Sequence, residues 1–244
     1  MDMLSSSTLV NEEYKEDDKL NIMHELQHNS TRKALITHNL LIQMRSQLLS
    51  FDQLVVVLSQ WYHPLHYFPK FLGKLIAVLP NLEMQTAISK ILWQELGEGQ
   101  PERAHEFIYE KTMEEAGFQR SLYIDTDALP QTKQLIMGYQ QATEKNYLNS
   151  LGYIFGTEAA DLAMVSAIGS AVSRCSGKKN LEWVNIHIQQ EPDHTDSVDT
   201  ALTSDLSNQE KKIVVDSAKE MWILWVNFFD GILYALTKEC SHAF

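Results

Sequence analysis

An all-α bundle of about seven or eight helices is what this sequence predicts, and three observations carry that expectation. Apolar residues recur at spacings of three and four through most of the chain, which puts them on one face of a helix. Glycine and proline are sparse, ten and six among 244 residues, whereas β-rich folds need many more turn residues. No segment keeps the strict apolar/polar alternation of a half-buried strand. With 44% hydrophobic residues the chain can bury one substantial core. Residues 1–18 read as a flexible acidic tail and residues 19–244 as a single helical domain.

The elements follow in order. Leu20, Met23 and Leu26, then Leu35, Leu41, Ile42, Leu48 and Leu49, predict two helices separated near Asn29–Ser30. Ser50, with Gln53 three residues on, is an N-cap for a helix running through VVVLSQWYH to a kink at Pro64. Pro80-Asn81 precedes an amphipathic helix from Met84 to Leu96, and Gly97-Glu98-Gly99-Gln100-Pro101 breaks it. Pro101 suits the first turn of the next helix, which ends at Gly117. Thr132–Gly152 and Thr157–Ser173 read as two helices, the second rich in small residues. Leu181–Gln190 is a helix interrupted by Pro192. Ser207–Thr237 is long and amphipathic, with Trp222, Trp225, Phe228 and Phe229 on its apolar side.

Charge excludes some functions. The net charge is −12 with no Lys/Arg block, so the chain lacks the basic face that nucleic acid or an anionic membrane requires. No apolar window is long enough to span a bilayer, and the N-terminus lacks the basic and apolar regions of a signal peptide. Cys175 and Cys240 form no CxxC and read as reduced, buried thiols. A cytoplasmic location is expected.

The chemistry concentrates in a few acids and histidines. In His187-Ile-Gln-Gln-Glu191-Pro-Asp-His194, His187 and Glu191 share a helix face, and His194 joins them if the helix continues past Pro192. Two imidazoles and a carboxylate suit a metal such as iron or manganese; the plain alternative is a solvated polar helix end. Glu95 closes one apolar helix and His105 opens the next, so both can face a common core, with Glu98 competing for the role of Glu95. Glu158 lies in an otherwise apolar helix, where a lone buried carboxylate would cost several kcal/mol unless protonated, paired or metal-bound. It could instead sit in a first helical turn, where negative charge is favourable.

This order of motifs resembles the haem-oxygenase-like diiron oxidases and oxygenases, the CADD-like proteins related to the TenA and PqqC folds. An ELGxG-type segment leading to a His is matched by Glu95-Leu96-Gly97-Glu98-Gly99 and His105. An HxxxDPxH-type segment is matched by His187 to His194, with Glu191 in place of the usual Asp. The aromatic run Trp61 to Pro69 looks like the family's helix before the first ligand, and the resemblance spans roughly residues 20 to 236. It implies a haem-oxygenase-like bundle and two iron ions (manganese being the alternative). Glu95, His105 and His194 would hold one ion, and Glu158, His187 and Glu191 the other. It further implies that O₂ is activated to oxidise a small-molecule substrate, with an external electron donor. The family's CADD protein uses a lysine on the helix after its middle glutamate, and residues 159–173 contain none.

Trp61, Tyr62 and Phe155 are candidate substrate contacts by their nearness in sequence to the ligand helices. His63 and His66 suit core or surface roles better than a pocket. Two other function classes compete: a non-catalytic helical interaction protein with a degenerate metal site, and a zinc peptidase. The second rests on His24-Glu25-Leu26-Gln27-His28, which matches HExxH but lacks any further ligand pattern. The aromatic C-terminal helix offers either core or a homodimer face.

Overall fold

The computed structural model describes residues 22–202 and 206–240, apart from the side chains of 23, 24, 191, 199, 239 and 240. The expected acidic tail 1–18 lies outside the described residues. Ten α-helices and two short 3-10 turns form the fold, with no strand among the described residues. The helices are α1 (Ile22–Gln27), α2 (Ser30–Ile36), α3 (Asn39–Ser46), α4 (Phe51–Val78), α5 (Leu82–Glu95), α6 (His105–Glu115), α7 (Pro130–Lys145), α8 (Tyr147–Ser176), α9 (Glu182–Leu202) and α10 (Asn208–Cys240).

The count exceeds the expected seven or eight because caps cut the N-terminal region more finely than apolar spacing reveals. His38 Nδ1 accepts from Leu40 N–H at 3.1 Å and starts α3 afresh. At Ser50 the expected cap is a full capping box, with Ser50 Oγ accepting from Gln53 N–H and Gln53 Oε1 from Ser50 N–H. From there α4 runs unbroken through Pro64 and Pro69.

The expected break between residues 152 and 157 is absent. Asn146 caps α8, and the helix runs 30 residues through Gly152 and Gly156. These glycines mark close packing against α10. A Cβ on Gly152 would meet the Val214 carbonyl oxygen at 2.4 Å, and one on Gly156 the Ala218 carbonyl oxygen at 3.1 Å. Trp222 Nε1–H donates to the Gly156 carbonyl at 2.6 Å across that interface.

Buried on nearly every side, α8 packs against α2, α3, α4, α7, α9 and α10, so it reads apolar around its whole circumference. Among the described residues it is the one helix long and apolar enough to cross a membrane, and 72% of its apolar window is buried within the bundle. Pro192 does not end α9. A proline deprives one carbonyl of its helical partner, and Pro192 is on the exposed side, where water can satisfy that group. His187 and His194 therefore stand on one continuous helix facing α8.

Candidate metal centre

The first half of the site is made by a turn. Glu95 is the last residue of α5, and Gly97, Glu98 and Gly99 follow with φ of 85°, 56° and 85°. A Cβ on Gly97 would lie 2.2 Å from the Gln100 carbonyl oxygen, so only glycine fits there. The reversal leaves Glu98 on the rim, 4.0 Å from Arg103, and turns the buried Glu95 inward. A short 3-10 turn then delivers His105 as the first residue of α6. His105 Nδ1 lies 3.0 Å from Glu95 Oε2, off the line of its N–H, as an ionic contact. Its Nε2–H donates to Gln190 Oε1 at 2.8 Å.

The second half comes from α8 and α9. Glu158 and Asp161, three residues apart, share the α8 face turned to α9. His194 Nδ1–H donates to Glu158 Oε2 at 3.1 Å, and its buried Nε2 has no partner among the described residues. His187 Nδ1–H donates to the Trp183 carbonyl at 2.7 Å, and its Nε2 lies 3.8 Å from Asp161 Oδ2. A carbonyl can only accept, so the Nδ1 proton is fixed and Nε2 carries the lone pair.

Burial and charge divide the protons. Burial raises the pKa of Glu95, but the contact with His105 and the charge of His194 outweigh it and hold the carboxyl at about 2. For Asp161, burial and then Glu158 and Glu95 outweigh the charges of His194 and His105 and push it up to about 8. Burial and the charge of His105 hold His187 down at about 3, so it is neutral. For His194 burial acts downward, yet Glu158 overrides it and lifts the ring to about 9. His105 is likewise raised by Glu95 against its own burial.

Glu95, Glu158, Asp161, His187 and His194 together line one cavity of about 40 Å³, closed on its apolar side by Trp61, Leu65, Phe68 and Trp225. His105 stands directly behind Glu95, its ring 4.8 Å from that of His187 and 6.4 Å from that of His194. Glu191 belongs to α9, but its side chain lies outside the described residues. Asp161 is a cavity residue that sequence reasoning missed; the signal was an acid one turn after Glu158 on an apolar helix. No three of the donors gather around a single point among the described residues.

Of the expected substrate contacts, Trp61 lines the cavity. Tyr62 points elsewhere, donating to Glu106 Oε1 at 2.7 Å beside His66. Phe155 lines a separate pocket on the other side of Glu158. In the HExxH segment, α1 ends at Gln27, one residue short of His28. Glu25, which would have to activate water, is ion-paired with Lys219 at 3.1 Å instead. The side chain of His24 is outside the described residues.

A family model described as iron-containing redox enzyme matches residues 55–226, which includes every residue of the cavity. The chain belongs to this family. Solved structures share the fold of this chain. A CADD-like protein of unknown function from Nostoc punctiforme aligns at 16% identity and TM-score 0.75, covering 88% of this chain and 96% of its own. A domain of unknown function with a heme oxygenase-like fold from Shewanella denitrificans aligns at 15% and 0.75, covering 93% and 97%. A TenA homolog from Pseudomonas syringae pv. tomato aligns at 13% and 0.71, covering 88% and 93%. No curated protein matches the chain. The chain thus has the haem-oxygenase-like all-α fold.

Its donor set fits iron. Imidazole and carboxylate are ligands of intermediate and hard character, and no thiolate is present that would favour zinc or copper. The unpartnered Nε2 of His194 and the lone pair on Nε2 of His187 are both buried at the cavity.

Proposed function

We propose that the chain is a non-haem diiron oxidase or oxygenase that uses O₂ to oxidise a small organic molecule. The observation that carries this reading is the single buried cavity walled by Glu95, Glu158, Asp161, His187 and His194. Glu95, His105 and His194 would hold one iron and Glu158, His187 and Glu191 the other, with Asp161 as a further carboxylate. Iron bound there supplies one-electron redox chemistry and a binding place for O₂.

The chain's own groups do the rest. The carboxylates supply the negative charge that favours oxidised metal. The Trp183 carbonyl keeps the His187 proton on Nδ1 and orients the ring. Trp61, Leu65, Phe68 and Trp225 exclude water from the reacting space. Asp161, with its carboxyl raised to about 8, can hold a proton on its side-chain oxygen at neutral pH. His105 donates from Nε2 and faces Glu95 with Nδ1, so it must release a proton before it can ligate. An external electron donor completes the cycle.

The test is metal analysis of protein purified under low oxygen and reconstituted with ferrous iron. The expected result is about two irons per chain, falling to about one or fewer in His187→Ala and in His194→Ala. The absence of three converging donors among the described residues favours a second reading, a non-catalytic module of the same fold. That reading takes over if no metal binds under any condition. One zinc per chain, lost in His24→Ala, would mean a peptidase.

A further inference from the structure

The metal cavity, at about 40 Å³, has room for water or a diatomic molecule but not for an organic substrate. A larger space lies on the other side of Glu158, a pocket of about 450 Å³ bounded by α2, α8 and α9. That volume is within the range of small-molecule sites. Its wall is largely apolar, with Ile36, Phe155, Ala159, Leu162 and Ala163, and Glu158 lines both this pocket and the metal cavity. One carboxylate therefore separates an O₂-sized space from a substrate-sized one.

The pocket also has a cation. Arg32 Nε–H donates to the Ala159 carbonyl at 2.9 Å, and Nη1 reaches the Gln27 carbonyl only at 3.5 Å. No carboxylate pairs with Arg32 among the described residues, in a chain where 32 acids outnumber 20 bases. Arg45 of α3, which meets α8 one turn further on, differs: Nη1 and Nη2 are both engaged by the Ile36 and Ala163 carbonyls. Arg32 thus clasps α8 with Nε and leaves most of its fork turned to a half-buried apolar space. Partial burial lowers its pKa, but a guanidinium remains charged. The negative charge of Glu158 is answered by His194 at 3.1 Å, which limits its repulsion of an anion.

We infer that this pocket binds a small apolar molecule bearing one carboxylate, the anionic end on Arg32 and the apolar body against Phe155 and Ala159. Its role as the substrate pocket of an oxidase rests on the diiron reading; the binding does not. An Arg fork takes a carboxylate in two parallel hydrogen bonds, while Ile36, Phe155, Ala159, Leu162 and Ala163 give the rest of the molecule an apolar wall.

Isothermal titration with phenylbutyrate and its neutral isostere phenylbutyramide tests this, on chelator-treated and on iron-loaded protein. The acid should bind about tenfold or more tighter than the amide. In Arg32→Gln that preference should vanish. In Ala159→Phe, which fills the pocket and removes no polar group, both ligands should lose binding, with helical circular dichroism unchanged. Equal binding of acid and amide, no binding of either, or an acid preference that survives Arg32→Gln would each overturn the proposal. Acid-preferring binding in a chain that takes up no iron would keep the pocket and remove the diiron reading. Two irons without acid preference would do the reverse.

Discussion

His187 and His194 line one cavity yet hold their protons differently, because one donates to a carbonyl and the other to a carboxylate. A carbonyl leaves imidazole neutral; a buried carboxylate makes imidazolium the favoured form. Asp161 has neither kind of partner close by, its nearest being His187 Nε2 at 3.8 Å, and stays protonated up to about pH 8. Asp161→Asn should therefore stabilise the metal-free protein far more at pH 8.5 than near pH 4, as read by urea midpoints. The sign follows from a folded pKa raised above 3.8, so that deprotonation at high pH favours unfolding. The same variant should weaken iron retention. A stability change independent of pH would mean the carboxyl is not protonated in the fold. Residue types were legible at Glu95, His105, Glu158, His187 and His194, since burial of so many polar groups needs a reason. Asp161 was not, because its spacing from Glu158 matters only once that face of α8 is known to meet α9.

At the scale of elements, α8 and α10 hold the core together through the absence of side chains. Gly152→Ala would drive a methyl toward the Val214 carbonyl oxygen, 2.4 Å away, and should destabilise by roughly 1–3 kcal/mol. Gly73, exposed in α4 with nothing within 4 Å of an added Cβ, makes the contrast. Gly73→Ala should stabilise by about 0.5–1 kcal/mol through helix propensity and unfolded-state entropy. Denaturant midpoints for the pair check both signs, and a stabilised Gly152→Ala would contradict the packing. Small residues at four-residue spacing were visible in the sequence. They read as a helix break because a glycine's local preference and its use in close packing leave the same mark. The caps at Ser50 and Asn146 decided the true boundaries.

For the whole molecule, the metal-free site makes stability depend on pH in a defined direction. His194 is raised from 6.5 to about 9, so its contribution is full below pH 6.5 and disappears as pH rises through 9. Asp161 acts in the same direction on the way to pH 8. Glu95, lowered from 4.5 to about 2, contributes above pH 4.5 and is lost only as pH falls through 2. The chelator-treated protein should therefore unfold more readily at pH 8.5 than at pH 6. Iron should reverse this, since metal displaces protons and binds more tightly as pH rises. Anaerobic melting curves with and without ferrous iron at both values read the two slopes. A metal-free protein with no loss of stability at pH 8.5 would contradict the proton assignments.

What could be read along the chain was whatever depends on local spacing: an all-helical fold, the turn that separates Glu95 from Glu98, and a family pattern of acids and histidines. What only the folded molecule decided depends on groups distant in sequence. Pro192 lies within a continuous α9 because its side faces solvent. Tyr62 and Phe155 point away from the cavity that Trp61 lines, because α4 and α8 each present several faces to different neighbours. The size of the cavity, the partition formed by Glu158 and the freedom of Arg32 belong to this second kind, since each is a property of surfaces brought together by packing.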